Sequence, residues 1–178
     1  RRQRQMCIRD RNQSQPQILP RTIQPSKYEI SLQPDFEKFI FYGEESIYLV
    51  IVDATNEITL NAAEIEISSC VLSYDDQNPV SPLDIAYNES TEIVTFRFDT
   101  LLPQGLARLT ITFTGCLNDK LRGFYRSRYT NPEGNESYLA STQFEATDAR
   151  RSFPCWDEPS LKAVFEVTLI LSLIHISA

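Results

Sequence analysis

Histidine is nearly absent from this chain. Its 178 residues contain one, His175, the fourth residue from the C-terminal end. A two-histidine zinc site cannot be assembled from one histidine, and a Ser-His-Asp triad would have to recruit a tail residue. Glycine is scarce too, at 5 residues. No Gly-x-Gly-x-x-Gly or Gly-Lys-Ser/Thr occurs, so neither common nucleotide-binding loop is present. The four cysteines, Cys7, Cys70, Cys116 and Cys155, form no Cys-x-x-Cys pair and are too few for a disulfide-stapled mini-domain. With Cys7 set aside as part of a foreign arm, the remaining three are expected to be reduced, buried thiols. The longest apolar-rich stretch, Val167 to Ile176, is about half of the ~20 residues a membrane helix needs. No apolar run follows the basic N-terminus, so it does not read as a signal peptide. Methionine occurs once, as Met6, and not at the start. The chain is therefore expected to be a fragment or a processed piece.

The formal charge is −7 and the pI is near 4.8, which argues against nucleic acid as a partner. Residues 1–12 hold five arginines against Asp10, so the rest of the chain has 12 basic and 23 acidic residues and carries −11. An acidic body favours cationic ligands over anionic ones. Two Asn-x-Ser sequons, at Asn88 and Asn135, have meaning only in a secreted chain. Residues 2–11 and 172–177 resemble translated adapter sequence. The arm 1–17 and the tail 172–178 are therefore expected to be foreign to a single domain spanning 18–171.

Within 18–171 the pattern is that of strands. From Lys27 to Gln33, Tyr28, Ile30 and Leu32 alternate with polar residues, the signature of a half-buried strand. From Ala107 to Gly115, Leu109, Ile111 and Phe113 alternate with Arg108, Thr110, Thr112 and Thr114. Phe36 to Phe41 and Glu45 to Val52 flank Tyr42-Gly43-Glu44, which predicts a hairpin turning at Gly43. The second arm is apolar on both faces and is expected to be central. Further strands are expected at Ile58 to Leu60, Ile65 to Leu72, Ile93 to Phe98, Arg122 to Tyr129, Tyr138 to Phe144 and Ala163 to Leu171. Asp75 to Pro82 reads as a loop, and only Ala146 to Arg151 suggests a helical turn. Nine or ten strands with turn signals between them predict an all-β antiparallel sandwich or pair of curved sheets.

Two features carry chemistry. The first is Gln143-Phe144-Glu145 at a strand end. Residues i and i+2 share a face, so Gln143 and Glu145 would project together with Phe144 buried opposite. An amide beside a carboxylate suits recognition of an ammonium group. From composition alone, an ordinary solvated strand face is the better description. The second is the cluster Asp148, Arg150, Arg151, Asp157 and Glu158 around Phe153-Pro154-Cys155-Trp156. It is expected to pin an irregular loop by ion pairs, with Phe153 and Trp156 as anchors and Pro154 and Pro159 restricting the backbone. Asp157 and Glu158 as a catalytic pair are disfavoured, since neighbours on an extended chain point apart. Cys155 has no histidine to activate it and reads as packing.

The run Thr142 to Pro159, with Gly123-Phe124-Tyr125-Arg126-Ser127, Leu117-Asn118-Asp119-Lys120 and Tyr28-Glu29-Ile30-Ser31-Leu32, resembles the N-terminal domain of the gluzincin zinc aminopeptidases over residues 18–171. The resemblance implies an all-β, saddle-like domain that packs on a thermolysin-like catalytic domain of the same parent chain. It implies that Glu145 helps to bind the α-ammonium of a peptide N-terminus and that Gln143 lines the first subsite. It also implies zinc in the parent and a cytoplasmic location, with no membrane or nucleic-acid partner. The Gly-Ala-Met-Glu-Asn and His-Glu-x-x-His motifs of that family are absent. This chain alone is therefore expected to bind no metal, contribute no catalytic residue and have no peptidase activity. The alternative is a free-standing β-sandwich, or short isoform, that binds partners without catalysis.

Overall fold

The computed structural model describes residues 18–74 and 78–171. The arm 1–17, residues 75–77 of the expected loop and the tail 172–178 lie outside them. Ten strands make up almost all of the regular structure: β1 (Ile23–Asp35), β2 (Ile40–Ile51), β3 (Thr55–Asn61), β4 (Ile65–Ser73), β5 (Asp84–Asn88), β6 (Ile93–Leu102), β7 (Gly105–Cys116), β8 (Gly123–Thr130), β9 (Glu136–Gln143) and β10 (Val164–Leu169). They form a five-stranded sheet ordered β10-β1-β2-β7-β4, a three-stranded sheet ordered β3-β6-β5 and the hairpin β8-β9. Every pairing is antiparallel except β1 with β10.

The alternation in the sequence sets the layers. Tyr28, Ile30 and Leu32 of β1, Ile47, Leu49 and Ile51 of β2, and Leu109, Ile111 and Phe113 of β7 are all buried. They share one core with Ile58 and Leu60 of β3 and Val94, Phe96 and Phe98 of β6. Each sheet therefore keeps one apolar face inward, as antiparallel sheets do. β2 is the central strand, as expected, but only its Ile47 row is fully buried; Tyr48 and Val50 are half-buried and Val52 is exposed.

The hairpin does not turn at Gly43. β2 runs unbroken through Tyr42-Gly43-Glu44, and the turn lies at residues 36–39. There Asp35 Oδ1 accepts the backbone N–H groups of Glu37 and Lys38, both at 3.0 Å. Gly43 answers a packing need: a Cβ there would lie 2.3 Å from the ring of Phe113, its partner on β7. Gly115 and Phe41 repeat the arrangement in reverse, at 2.1 Å. In a strand interior, glycine often marks such a close approach.

Three other expectations need adjustment. β5 was not anticipated; its Ile85 and Tyr87 alternate over only five residues. Cys70 and Cys155 are buried, but Cys116 is exposed at the end of β7. The expected helical turn shrinks to one 3-10 turn, Ala149–Arg151.

β10 continues the core row of β1 sideways. Phe165, Val167 and Leu169 pair with Tyr28, Ile30 and Leu32, and Phe165 stacks on Tyr28 at 4.8 Å. The β1 row is buried, whereas these three β10 side chains are 53%, 57% and 54% exposed. The described residues leave this row about half exposed.

Candidate functional site

The site is built on the β8-β9 hairpin. Its turn closes when Gly134 N–H donates to Asn131 C=O at 2.9 Å and Asn135 N–H donates to Asn131 Oδ1 at 2.8 Å. Phe124 of β8 is buried and meets Phe41 edge-on at 5.2 Å. Arg126 lies over the Phe39 ring at 4.1 Å, reaches Asp119 at 3.2 Å and donates to the Leu117 carbonyl. The cation over the Phe39 face holds one side of the hairpin to the β1-β2 turn, and the charged pair holds it to the segment that leads from β7 into β8.

At the other end Gly123 pairs with Gln143, the last residue of β9. The strand stops there. Phe144 leaves the sheet, the Glu145–Ala146 peptide is cis, and Asp148 N–H returns to Phe144 C=O at 2.9 Å. Strand alternation therefore places Gln143 but not Glu145, which sits in the turn. Phe144 is not buried opposite them: it is 37% exposed and meets Phe153 edge-on at 6.0 Å. Gln143 and Glu145 are both exposed, and neither side chain makes a hydrogen bond or ion pair with any described residue. An exposed carboxylate with free acceptors is available to a cation.

The segment beyond the turn is pinned, as the charge cluster predicts, but by more partners than its own sequence supplies. Arg150 Nε meets Asp157 at 2.9 Å and its Nη1 meets Glu92 at 3.4 Å. Arg151 meets Asp148 through Nε at 2.9 Å, Glu64 through Nη1 at 3.0 Å, and Glu92 through Nη2. Burial works against the charge of Arg151, but Asp148, Glu92 and Glu64 outweigh it and hold the guanidinium above arginine's usual range. Glu158 Oε1 accepts the Leu19 N–H at 2.6 Å. Asn61 and Cys155 exchange both backbone hydrogen bonds, at 2.8 and 3.0 Å, and Trp156 N–H donates to the Tyr28 hydroxyl at 3.2 Å. Phe153 and Trp156 are buried as anchors. Glu64, Glu92 and Asn61 belong to other strands and turns. No local signal in the sequence marks them as partners of this loop.

A cleft of about 660 Å³ is lined by Arg151 together with, among others, Ala63, Glu64, Tyr87, Glu92 and Thr114. It does not include Gln143 or Glu145. The described residues do not fit a zinc site: no three His, Cys, Asp or Glu side chains are grouped to hold a metal ion, and His175 lies outside them. Among the described residues no helix is long and apolar enough to cross a membrane.

A family model described as the Peptidase M1 N-terminal domain matches residues 24–177. The chain belongs to that family. Relatives of this M1 N-terminal domain agree. It is 42% identical over 155 residues to Aminopeptidase 2 of Candida albicans, covering 86% of this chain and 16% of that protein. It is 40% identical over 151 residues to the puromycin-sensitive aminopeptidase of Caenorhabditis elegans, covering 85% and 16%. It is 41% identical over 170 residues to the alanine/arginine aminopeptidase of Saccharomyces cerevisiae, covering 90% and 19%. The chain thus corresponds to the N-terminal domain region of aminopeptidases and spans less than a fifth of the length of these relatives.

Proposed function

We propose that this chain is the substrate-anchoring domain of a cytoplasmic zinc metallo-aminopeptidase, with Glu145 receiving the α-ammonium of a peptide's N-terminal residue and Gln143 lining the first subsite. The observation that carries this reading is the placement of Glu145. Its carboxylate is exposed and unpartnered among the described residues, on a turn that the partly buried Arg150 and Arg151 pairs tie down. A carboxylate accepts strong charge-assisted hydrogen bonds from an ammonium group, and a fixed one measures distance from the chain end. That geometry suits removal of one residue at a time.

The metal chemistry belongs to the remainder of the longer chain. Zinc is general to the M1 family, and there it activates water and polarises the scissile carbonyl. The residues described here bind and orient. The exposed Phe165-Val167-Leu169 row is the face that the catalytic part covers. In the full-length protein, Glu145→Gln should lower kcat/KM on peptides with a free N-terminus by on the order of 10-fold or more, about 1.4 kcal/mol of transition-state binding. Unchanged kcat/KM on those substrates would overturn the assignment.

A further inference from the structure

We infer that Arg151 is a positioning residue for Glu145, holding the turn that carries this carboxylate by a three-way clamp between the two sheets. The inference rests on Glu145 as the ammonium anchor. Asp148 closes the turn twice: its N–H donates to Phe144 C=O at 2.9 Å, and its carboxylate takes Arg151 Nε at 2.9 Å. The other two nitrogens of Arg151 reach outward. Nη1 meets Glu64, just before β4 of the five-stranded sheet, at 3.0 Å, and Nη2 meets Glu92, just before β6 of the three-stranded sheet. One side chain, 10% exposed, therefore fixes the turn to both layers.

The close approach is provided for at Gly123, the register partner of Gln143. Its φ is +68°, and a Cβ there would lie 2.6 Å from the Cβ of Arg151 and 3.3 Å from the Asp148 carbonyl. The hairpin end and the 148–151 segment thus share space that only glycine leaves open. That contact ties Gln143's end of the hairpin to Arg151, and the Asp148 N–H to Phe144 C=O bond ties in the turn that carries Glu145. Arginine is required because three carboxylates approach three separate nitrogens of a rigid fork. Lysine keeps the charge but presents a single nitrogen.

The test is a double-mutant cycle in the full-length protein, read as kcat/KM on peptides with a free N-terminus, with Tm followed alongside. Arg151→Lys should lower kcat/KM on the order of tenfold, chiefly through KM, because a displaced anchor misplaces the bound N-terminus. In the Glu145→Gln background the same substitution should change kcat/KM by less than about twofold, since the group it positions is already gone. Losses that simply multiply across the two sites would overturn the inference, because a general structural role is indifferent to Glu145. If Arg151→Lys does not fold, Asp148→Asn replaces it in the cycle; that variant leaves the Glu64 and Glu92 pairs in place. An Arg151→Lys effect that persists in full beside a silent Glu145→Gln would remove the anchor reading and this inference with it. Multiplying losses beside an effective Glu145→Gln would remove only this one.

Discussion

Glu45 should make the domain less stable as pH rises, and removing its carboxyl should reverse that. It sits on β2, the central strand, opposite Ile30 of β1 and Ile111 of β7. It is 1% exposed, and neither carboxyl oxygen has a hydrogen-bond partner among the described residues. Burial alone pushes its pKa well above the usual carboxylate range. The titratable groups that feel it are Tyr28, Cys70 and Cys155, and none is a cation that could compensate it. Burial first, then Glu45, pushes the Cys70 thiol up to about 12, so this neighbour stays neutral. The folded chain therefore holds the Glu45 proton more tightly than the unfolded chain. The stability linked to that proton is complete below the unfolded carboxyl's pKa, about 4.3, and is lost as pH rises towards the folded value, at about 1.4 kcal/mol per pH unit. Glu45→Leu removes both the proton linkage and the unsatisfied polar burial, the latter alone about 1–3 kcal/mol. Each kcal/mol corresponds to about 2–4 °C in Tm for a domain near this size. Thermal melts of the chain and of Glu45→Leu from pH 4.5 to 8 should diverge, with the variant melting higher and the gap widening as pH rises. Other titrating groups are common to both proteins and cancel in the difference. A gap that stays constant with pH would refute the reasoning.

Gly43→Ala should destabilise the domain by about 1–3 kcal/mol, because the new methyl lies 2.3 Å from a Phe113 ring that is 1% exposed and has little room to move. Part of the loss should return in Gly43→Ala with Phe113→Leu; urea midpoints that are unchanged by Gly43→Ala would contradict the packing account. Without the rest of its longer chain, the segment 18–171 should self-associate through the Phe165, Val167 and Leu169 row. Val167→Lys should shift sedimentation velocity towards monomer, and a parent already monomeric at the same concentration would sink this view of the face.

The sequence made legible what depends on neighbours along the chain. The two-residue alternation from Lys27 to Gln33 and from Ala107 to Gly115 predicted buried rows that β1 and β7 reproduce. Gly43 shows where that logic ends. A glycine within an apolar run has the same local signature at a turn as at a close contact, and only Phe113, distant in sequence, decides between them. The parallel placement of β10 beside β1 is equally invisible locally, since the chain reaches it from the separate β8-β9 hairpin. Gln143 and Glu145 stand out in the sequence as an amide beside a carboxylate, but only the resemblance prefers a site there over a solvated strand face. Their alternation argument fails after Gln143 because the strand ends there.

Charge shows the same division more sharply. Arg151 and Glu45 enter the sequence count as equal and ordinary charges, yet burial treats them oppositely. Arg151 goes inside with Asp148, Glu64 and Glu92 around it, and those partners offset its desolvation, so it keeps its charge. Glu45 goes inside with none, and an unpaired carboxylate in an apolar layer is costly enough that the group takes up a proton instead. Two of the three carboxylates on Arg151 come from turns before β4 and β6, so no window of sequence around Arg151 contains the reason it stays ionised. The ionisation of each group follows from the fold. While Glu45 holds its proton, the folded body carries one negative charge fewer than its residues imply, and the Glu45→Leu melts measure where along the pH scale that difference disappears.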